Sequence, residues 1–243
     1  MLPDQLADIE NLRADGIGIL SPDEKQRYVR MKHHLAADQF VLGRILLRRV
    51  LARYLGEDPA DLSFQYNANG KPELANPFAL NISFSLSNSG SEIVLAVTSA
   101  LAIGVDLETV DRAGAALRIS QMFFSASEIQ HLESVGTKAS VHALILWSLK
   151  ESIVKANGET VWDGLARLPL AIEGPRIYWP SAQHTGSPHW QLVAGGFGQN
   201  CVLAFAVKSL GDQTGRPLVF QTYRFGAGTE DHNGFVPEFS TNT

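Results

Sequence analysis

The sequence predicts an α+β fold, on three observations. Start and stop signals bracket long amphipathic helices in both halves of the chain. After "EDPADL" the apolar pattern changes from helical spacing to short runs bounded by Ser, Gly or Asn. The resulting order of helix, strands, helix, strands presents the same element types twice, without any repeat in the letters.

The first helix is announced by "SPDEKQRYVRMK". Ser21 can cap it, Pro22 suits the first helical position, and Glu24 completes a capping box. The second runs through "AADQFVLGRILLRRVLARYLG", with Phe40, Ile45, Leu46, Val50, Leu51 and Tyr54 as its apolar face and Gly56 as its stop. "SFQY" then leads into a turn at "NANGKP", where Asn69-Gly70 tolerates positive φ. Strands follow at "LNISFSL", "EIVLAV" and "AIGVDLE". Ser125 and Glu128 form a second capping box, and a further helix is expected from about Lys138 to Asn157, with Gly158 ending it. "CVLAFAVKSL" and "LVFQTYRF" read as strands, and from Gly226 onward the weak periodicity predicts a mobile tail. The boundaries drawn are 1–108 for an N-terminal half, 109–210 for a C-terminal half and 211–243 for an extension ending in that tail.

A chain of 243 residues, 45% hydrophobic, is large enough for one domain or two small ones. Its formal charge of −5 gives no overall footprint for nucleic acid, although Arg27, Arg30, Lys32, Arg44, Arg48, Arg49 and Arg53 make the N-terminal region locally basic. Cys201 is the only cysteine, so neither an intrachain disulfide nor a cysteine zinc cluster can form. "MLPDQLADIE" lacks the basic and apolar regions of a signal sequence, and "IVLAVTSALAIGV" is too short and too interrupted to cross a bilayer. A cytoplasmic monomer, without nucleic acid or membrane as partner, is the expectation.

Chemistry is concentrated in "LWSLKESIVKANG" and "AIGVDLE". Trp147, Glu151 and Lys155, spaced i, i+4, i+8, form one helical stripe beside an apolar stripe of Leu146, Leu149 and Ile153. A solvated Glu–Lys pair beside a packing Trp would look the same. Asp106 and Glu108, two apart on a strand, project from one face. Either they end a strand in solvent or they share a cation, and oxygen-only ligation favours Mg²⁺ or Mn²⁺.

Five segments, in order and spacing, resemble the Sfp-type 4′-phosphopantetheinyl transferases over about residues 20–210. They are "GKP" at Gly70–Pro72, "SLSNSG" at Ser85–Gly90, "IGVDLE", "FFSASEIQHL" and "WSLKESIVK". The family patterns are G-[IV]-D-[IVL]-E and W-[ST]-x-K-E-[AS]-x-x-K. The resemblance implies two similar α/β halves related by a pseudo-twofold, the N-terminal one on the coenzyme A side, with the active site in the cleft between them. It also implies Mg²⁺-dependent transfer of 4′-phosphopantetheine from coenzyme A to a serine of an acyl or peptidyl carrier protein, releasing 3′,5′-ADP, in fatty acid, polyketide or nonribosomal peptide biosynthesis. By the same carry-over Asp106, Glu108 and Glu151 hold the metal, with Mn²⁺ an alternative. Glu151 is also the base and Lys155 meets the phosphates. Lys71, Ser87 and Asn88 bind coenzyme A, and Trp147 and Lys150 support the helix; Arg27 and Arg30, on the first helix, are either guanidinium forks for its 3′-phosphate or a solvated helix face. A carrier would need a local basic or apolar rim, which Leu117, Met122, Phe123 and Phe124 could form, core packing being the expected fate of at least half of those side chains.

Three positions depart from the pattern. Asn88 stands where the family has histidine, so a hydrogen bond can remain but not a charge. Gln39 replaces an arginine ahead of "FVLGR", and "GETVWDG" replaces a glycine-rich turn. Two other readings stay open: a non-catalytic binder of coenzyme A or carrier, and a metal-dependent phosphodiesterase or nuclease.

Overall fold

The computed structural model describes residues 10–11, 13–75, 82–99, 102–160, 168–173, 176–178, 189–209 and 239–240. They mix helix and strand, the α+β class the sequence predicts. They group into two compact units, one containing the described residues of Met1–Tyr66 and Pro72–Leu80, the other those of Asn67–Lys71, Asn81–Phe220 and Phe235–Thr243.

The first unit holds helices α1 (Pro22–Arg30) and α2 (His34–Leu55) and a ribbon of strands β1 (Phe64–Tyr66) and β2 (Pro72–Leu74). The capping box forms as expected: the Glu24 amide donates to Ser21 Oγ (3.2 Å) and the Ser21 amide to Glu24 Oε2 (3.0 Å). Glu24 has a second duty. It is 4% exposed and its Oε2 accepts from Arg48 Nε at 2.8 Å. Arg48 Nη1 continues to the Pro59 and Leu62 carbonyls (2.9 and 2.8 Å), so the pair is hydrogen-bonded on both sides, as burial requires. Arg44 lies near the same carboxylate. Two of the arginines that made this region look basic are therefore core residues. Gly56, at φ 72°, ends α2 in the left-handed region.

The second unit is built on a six-stranded sheet in the order β5-β9-β8-β10-β7-β6. Its strands are β5 (Ala102–Thr109), β6 (Ala171–Glu173), β7 (Arg176–Tyr178), β8 (His189–Phe197), β9 (Cys201–Ser209) and β10 (Phe239–Ser240). A separate antiparallel pair joins β3 (Ile82–Ser89) to β4 (Glu92–Ser99). Helices α3 (Ala113–Phe123), α4 (Ala126–Ser134) and α5 (Ala139–Asn157) complete it. Alternation along β5 divides the core. Ile103, Val105 and Leu107 pack with Leu203, Phe205 and Val207 on one face. On the other, Val202, Ala204 and Ala206 of β9 pack against Leu146, Leu149 and Ile153 of α5.

Strands β3–β5 cluster with the later residues of the second unit, where β5 pairs along its whole length with β9. Strands β6–β8 carried no sequence signal that was read. Within the stretch expected to be a mobile tail, Phe239–Ser240 form β10, which pairs antiparallel with β8 and parallel with β7; its other residues lie outside the described ones. "LVFQTYRF" lies outside the described residues.

Candidate active site

The site begins with a glycine. Strand β5 directs its even residues, Gly104, Asp106 and Glu108, to the face opposite the Val105 and Leu107 packing. A methyl group on Gly104 would collide with the Ser152 carbonyl oxygen and stand 2.7 Å from the Ala156 amide nitrogen. The absence of a side chain therefore lets α5 lie directly on β5. One turn before this contact α5 carries Glu151, and at it Lys155. Strand and helix stripes meet: one carboxylate oxygen from each of Asp106, Glu108 and Glu151 lies within 4.8 Å of the others.

Two cations already balance part of this charge. Lys155 Nζ donates to Asp106 Oδ1 (2.6 Å) and to Ser87 Oγ (3.0 Å). Arg112 Nη1 donates to both oxygens of Glu108, at 2.7 and 2.8 Å. Asp106 and Glu108 are 2% and 5% exposed, which rules out a solvated strand end. Burial first, then repulsion from Asp106, pushes the Glu151 carboxyl up to about 7, against the pull of Lys155. Burial and Asp106 raise Glu108 as well, with Arg112 opposing.

Asp106 Oδ2 is buried and has no hydrogen-bond partner among the described residues. An orphaned carboxylate oxygen in a trio of oxygen donors, with no histidine or cysteine in the cluster among the described residues, fits Mg²⁺ or Mn²⁺.

The other expected residues lie as follows. Trp147 and Lys150 are buried, but Lys150 faces away from the cluster: its Nζ donates to Glu128 Oε2 at 2.9 Å and sits 4.7 Å from the Phe124 ring centroid. Glu128 also receives the Ser125 and Leu170 amides (2.7 and 2.8 Å), so one carboxylate ties α4, α5 and the entry to β6. Lys71 Nζ donates to the Lys155 carbonyl at 2.7 Å, and Asn67 and Asn69 donate to the Gly158 carbonyl, so the "NANGK" turn closes the C-terminal end of α5. Ser87 is buried in the cluster, whereas Asn88 is exposed. Arg27 and Arg30, both exposed, belong to the first unit; the Arg27 guanidinium lies 4.9 Å from the Phe40 ring centroid. In α3 and after it, Leu117, Phe123 and Phe124 pack on the core and only Met122, 77% exposed, is left of the expected rim.

Arg112 and Ser89 escaped the sequence reading. The signals were there, Arg112 being four residues past Glu108 and the serines alternating in "SLSNSG".

Three carboxylates, Asp106 and Glu108 buried and Glu151 partly exposed, converge beside a lysine, an arrangement compatible with chemistry on a phosphate-linked group. The comparisons give that class its family. Residues 102–206 match the 4′-phosphopantetheinyl transferase superfamily and residues 14–100 the N-terminal region of 4′-phosphopantetheinyl transferase. The chain is 32% identical to 4′-phosphopantetheinyl transferase HetI of Nostoc sp., over 84% of this chain and 85% of the relative. It is 32% identical to a putative 4′-phosphopantetheinyl transferase of Synechocystis sp. (72% and 71%), and 30% identical to 4′-phosphopantetheinyl transferase Sfp of Bacillus subtilis (67% and 68%). This chain belongs to the 4′-phosphopantetheinyl transferase family and is an enzyme of that activity. Among the described residues no helix is long and apolar enough to cross a membrane.

Proposed function

We propose that the enzyme moves 4′-phosphopantetheine from coenzyme A to a serine of an apo acyl or peptidyl carrier protein, with a divalent cation, Mg²⁺ before Mn²⁺, held by Asp106, Glu108 and Glu151. The observation that carries the metal assignment is the orphaned Asp106 oxygen within the carboxylate trio. Bound there, the cation would neutralise pyrophosphate oxygens. The carrier serine Oγ forms a bond to the β-phosphorus while the bond from that phosphorus to the oxygen bridging it to the nucleotide breaks. The electron pair leaves with 3′,5′-ADP. Glu151 takes the serine proton, directly or through water. Lys155 meets the charge that develops on the leaving phosphate.

Arg27 and Arg30 supply guanidinium forks for the 3′-phosphate of coenzyme A. Lys71, whose ammonium donates to the Lys155 and Ala156 carbonyls at the end of α5, lies on the phosphate or adenine side of coenzyme A. Asn88 offers an exposed amide. Ser87, its hydroxyl already bonded to Asp106, Lys155 and the Leu107 amide, serves coenzyme A through those neighbours. Intact mass spectrometry of an apo carrier incubated with enzyme, coenzyme A and Mg²⁺ tests this reading. A gain of one phosphopantetheine, abolished by EDTA and by Glu151→Gln, is expected. Coenzyme A binding without transfer to any acyl or peptidyl carrier would overturn it in favour of a non-catalytic binder.

A further inference from the structure

Strand β5 is an edge strand of the six-stranded sheet, yet the edge facing β3 is not left open. The amides of Val105, Leu107 and Thr109 donate to the hydroxyls of Ser85, Ser87 and Ser89, at 3.0, 3.1 and 3.1 Å. Both strands have a side-chain period of two, so three alternate serines match three alternate amides without any slip in register. All three serines are buried. Side chains thus do for β5 what backbone carbonyls do in an ordinary ladder.

A hydroxyl that accepts an amide proton still has its own to give. Ser87 Oγ gives it to Asp106 Oδ1 and Ser89 Oγ to Glu108 Oε2, both at 3.3 Å. Each of these serines therefore fixes the strand and the carboxylate next to the amide it binds. At Asp106 the bond falls on Oδ1 and leaves Oδ2 open. Ser85 makes the same amide bond but reaches none of the three carboxylates among the described residues.

We propose that Ser87 and Ser89 are positioning residues for cation binding, orienting Asp106 and Glu108, while Ser85 serves the fold alone. The inference rests on the reading that the carboxylate trio holds a divalent cation. Ser89 is the cleaner test, since Ser87 also receives Lys155.

The experiment is Mn²⁺ titration of the full-length protein, followed by electron paramagnetic resonance of the free ion, for wild type, Ser89→Ala, Ser85→Ala and Ser89→Thr. Thermal unfolding is run in parallel. Loss of an outer hydrogen bond to a metal-binding carboxylate weakens binding about tenfold or more. Ser89→Ala is expected to show that loss and to raise the Mg²⁺ concentration giving half-maximal transfer, with kcat at saturating Mg²⁺ much less affected. Ser85→Ala, which loses the same kind of amide bond, should be destabilised comparably yet bind Mn²⁺ like wild type. Ser89→Thr should restore affinity. Should Ser89→Ala fail to fold, Ser89→Cys, with a weak donor at the same place, is expected to show the loss in reduced form. Equal affinity in Ser89→Ala and wild type, or equal loss in Ser85→Ala and Ser89→Ala, would overturn the proposal. Absence of Mn²⁺ binding by wild type would overturn the metal reading on which it rests.

Discussion

Glu151 makes the folded protein's stability depend on pH in a direction opposite to that of an ordinary salt-bridged carboxylate. Its carboxyl rises from an ordinary 4.5 to about 7, through burial and the neighbouring Asp106. Between those values the folded protein holds a proton that the unfolded chain has released. Stability must therefore fall as pH rises through the window, with the penalty complete above pH 7. At about 1.36 kcal/mol per unit the shift amounts to roughly 3 kcal/mol. In a chain of this size that is a fall in Tm of roughly 6–12 °C. The assay is thermal unfolding in EDTA at half-unit steps from pH 5 to 8.5, for wild type and Glu151→Gln. The glutamine cannot ionise, so subtracting its profile removes the titration of groups that do not interact with Glu151. The difference should grow across the window and level off above it. Because a cation requires the ionised carboxylate, added Mg²⁺ should raise the wild-type Tm more at pH 8 than at pH 5.5. Parallel profiles for wild type and Glu151→Gln would refute the reasoning, since they would mean that the carboxyl ionises as freely folded as unfolded.

Three further outcomes are expected. Gly104→Ala drives a methyl into the Ser152 carbonyl, costing about 1–3 kcal/mol in urea unfolding and lowering Mn²⁺ affinity; full affinity would mean that the glycine does not set the strand–helix spacing. Lys150→Met strands the Glu128 carboxylate, which is fully buried, and should cost about 3–5 kcal/mol; adding Glu128→Leu should recover part of it, and a Lys150→Met loss under about 1 kcal/mol would show the pair to be dispensable. Asn88→His restores a side chain able to carry charge, and should lower KM for coenzyme A more at pH 6 than at pH 8; an unchanged KM would mean that the site is organised around asparagine.

What could be read beforehand followed from local chemistry. Capping boxes at Ser21 and Ser125, the glycine stops at Gly56 and Gly158, and the side-by-side projection of Asp106 and Glu108 all depend on residues a few positions apart, and all were legible. What failed depended on distant partners. Arg44 and Arg48 look like surface charge until Glu24, a capping residue two dozen positions earlier, is seen to be buried with them. The short strands β6 and β7 have too few residues to show a period, and β10 exists only because β8 offers it an edge. No property of "NGKP" announces that the Lys71 ammonium closes the end of α5.

The charge count of the cluster explains why its carboxylates can be buried before any cation arrives. Lys155 and Arg112 bring two positive charges to three carboxyl groups. With Glu151 protonated the set is neutral, the buried Asp106 and Glu108 each facing a more exposed cation. Were a divalent ion bound and Glu151 ionised, the set with its ion would be net positive by one. That sign would favour an anionic pyrophosphate, and on the proposed reading substrate attraction and metal occupancy would be coupled through a single proton on α5. The coupling depends on distance, because Coulomb energy falls as the groups separate. The glycine that brings α5 onto β5 therefore controls the electrostatics of the site as much as its shape.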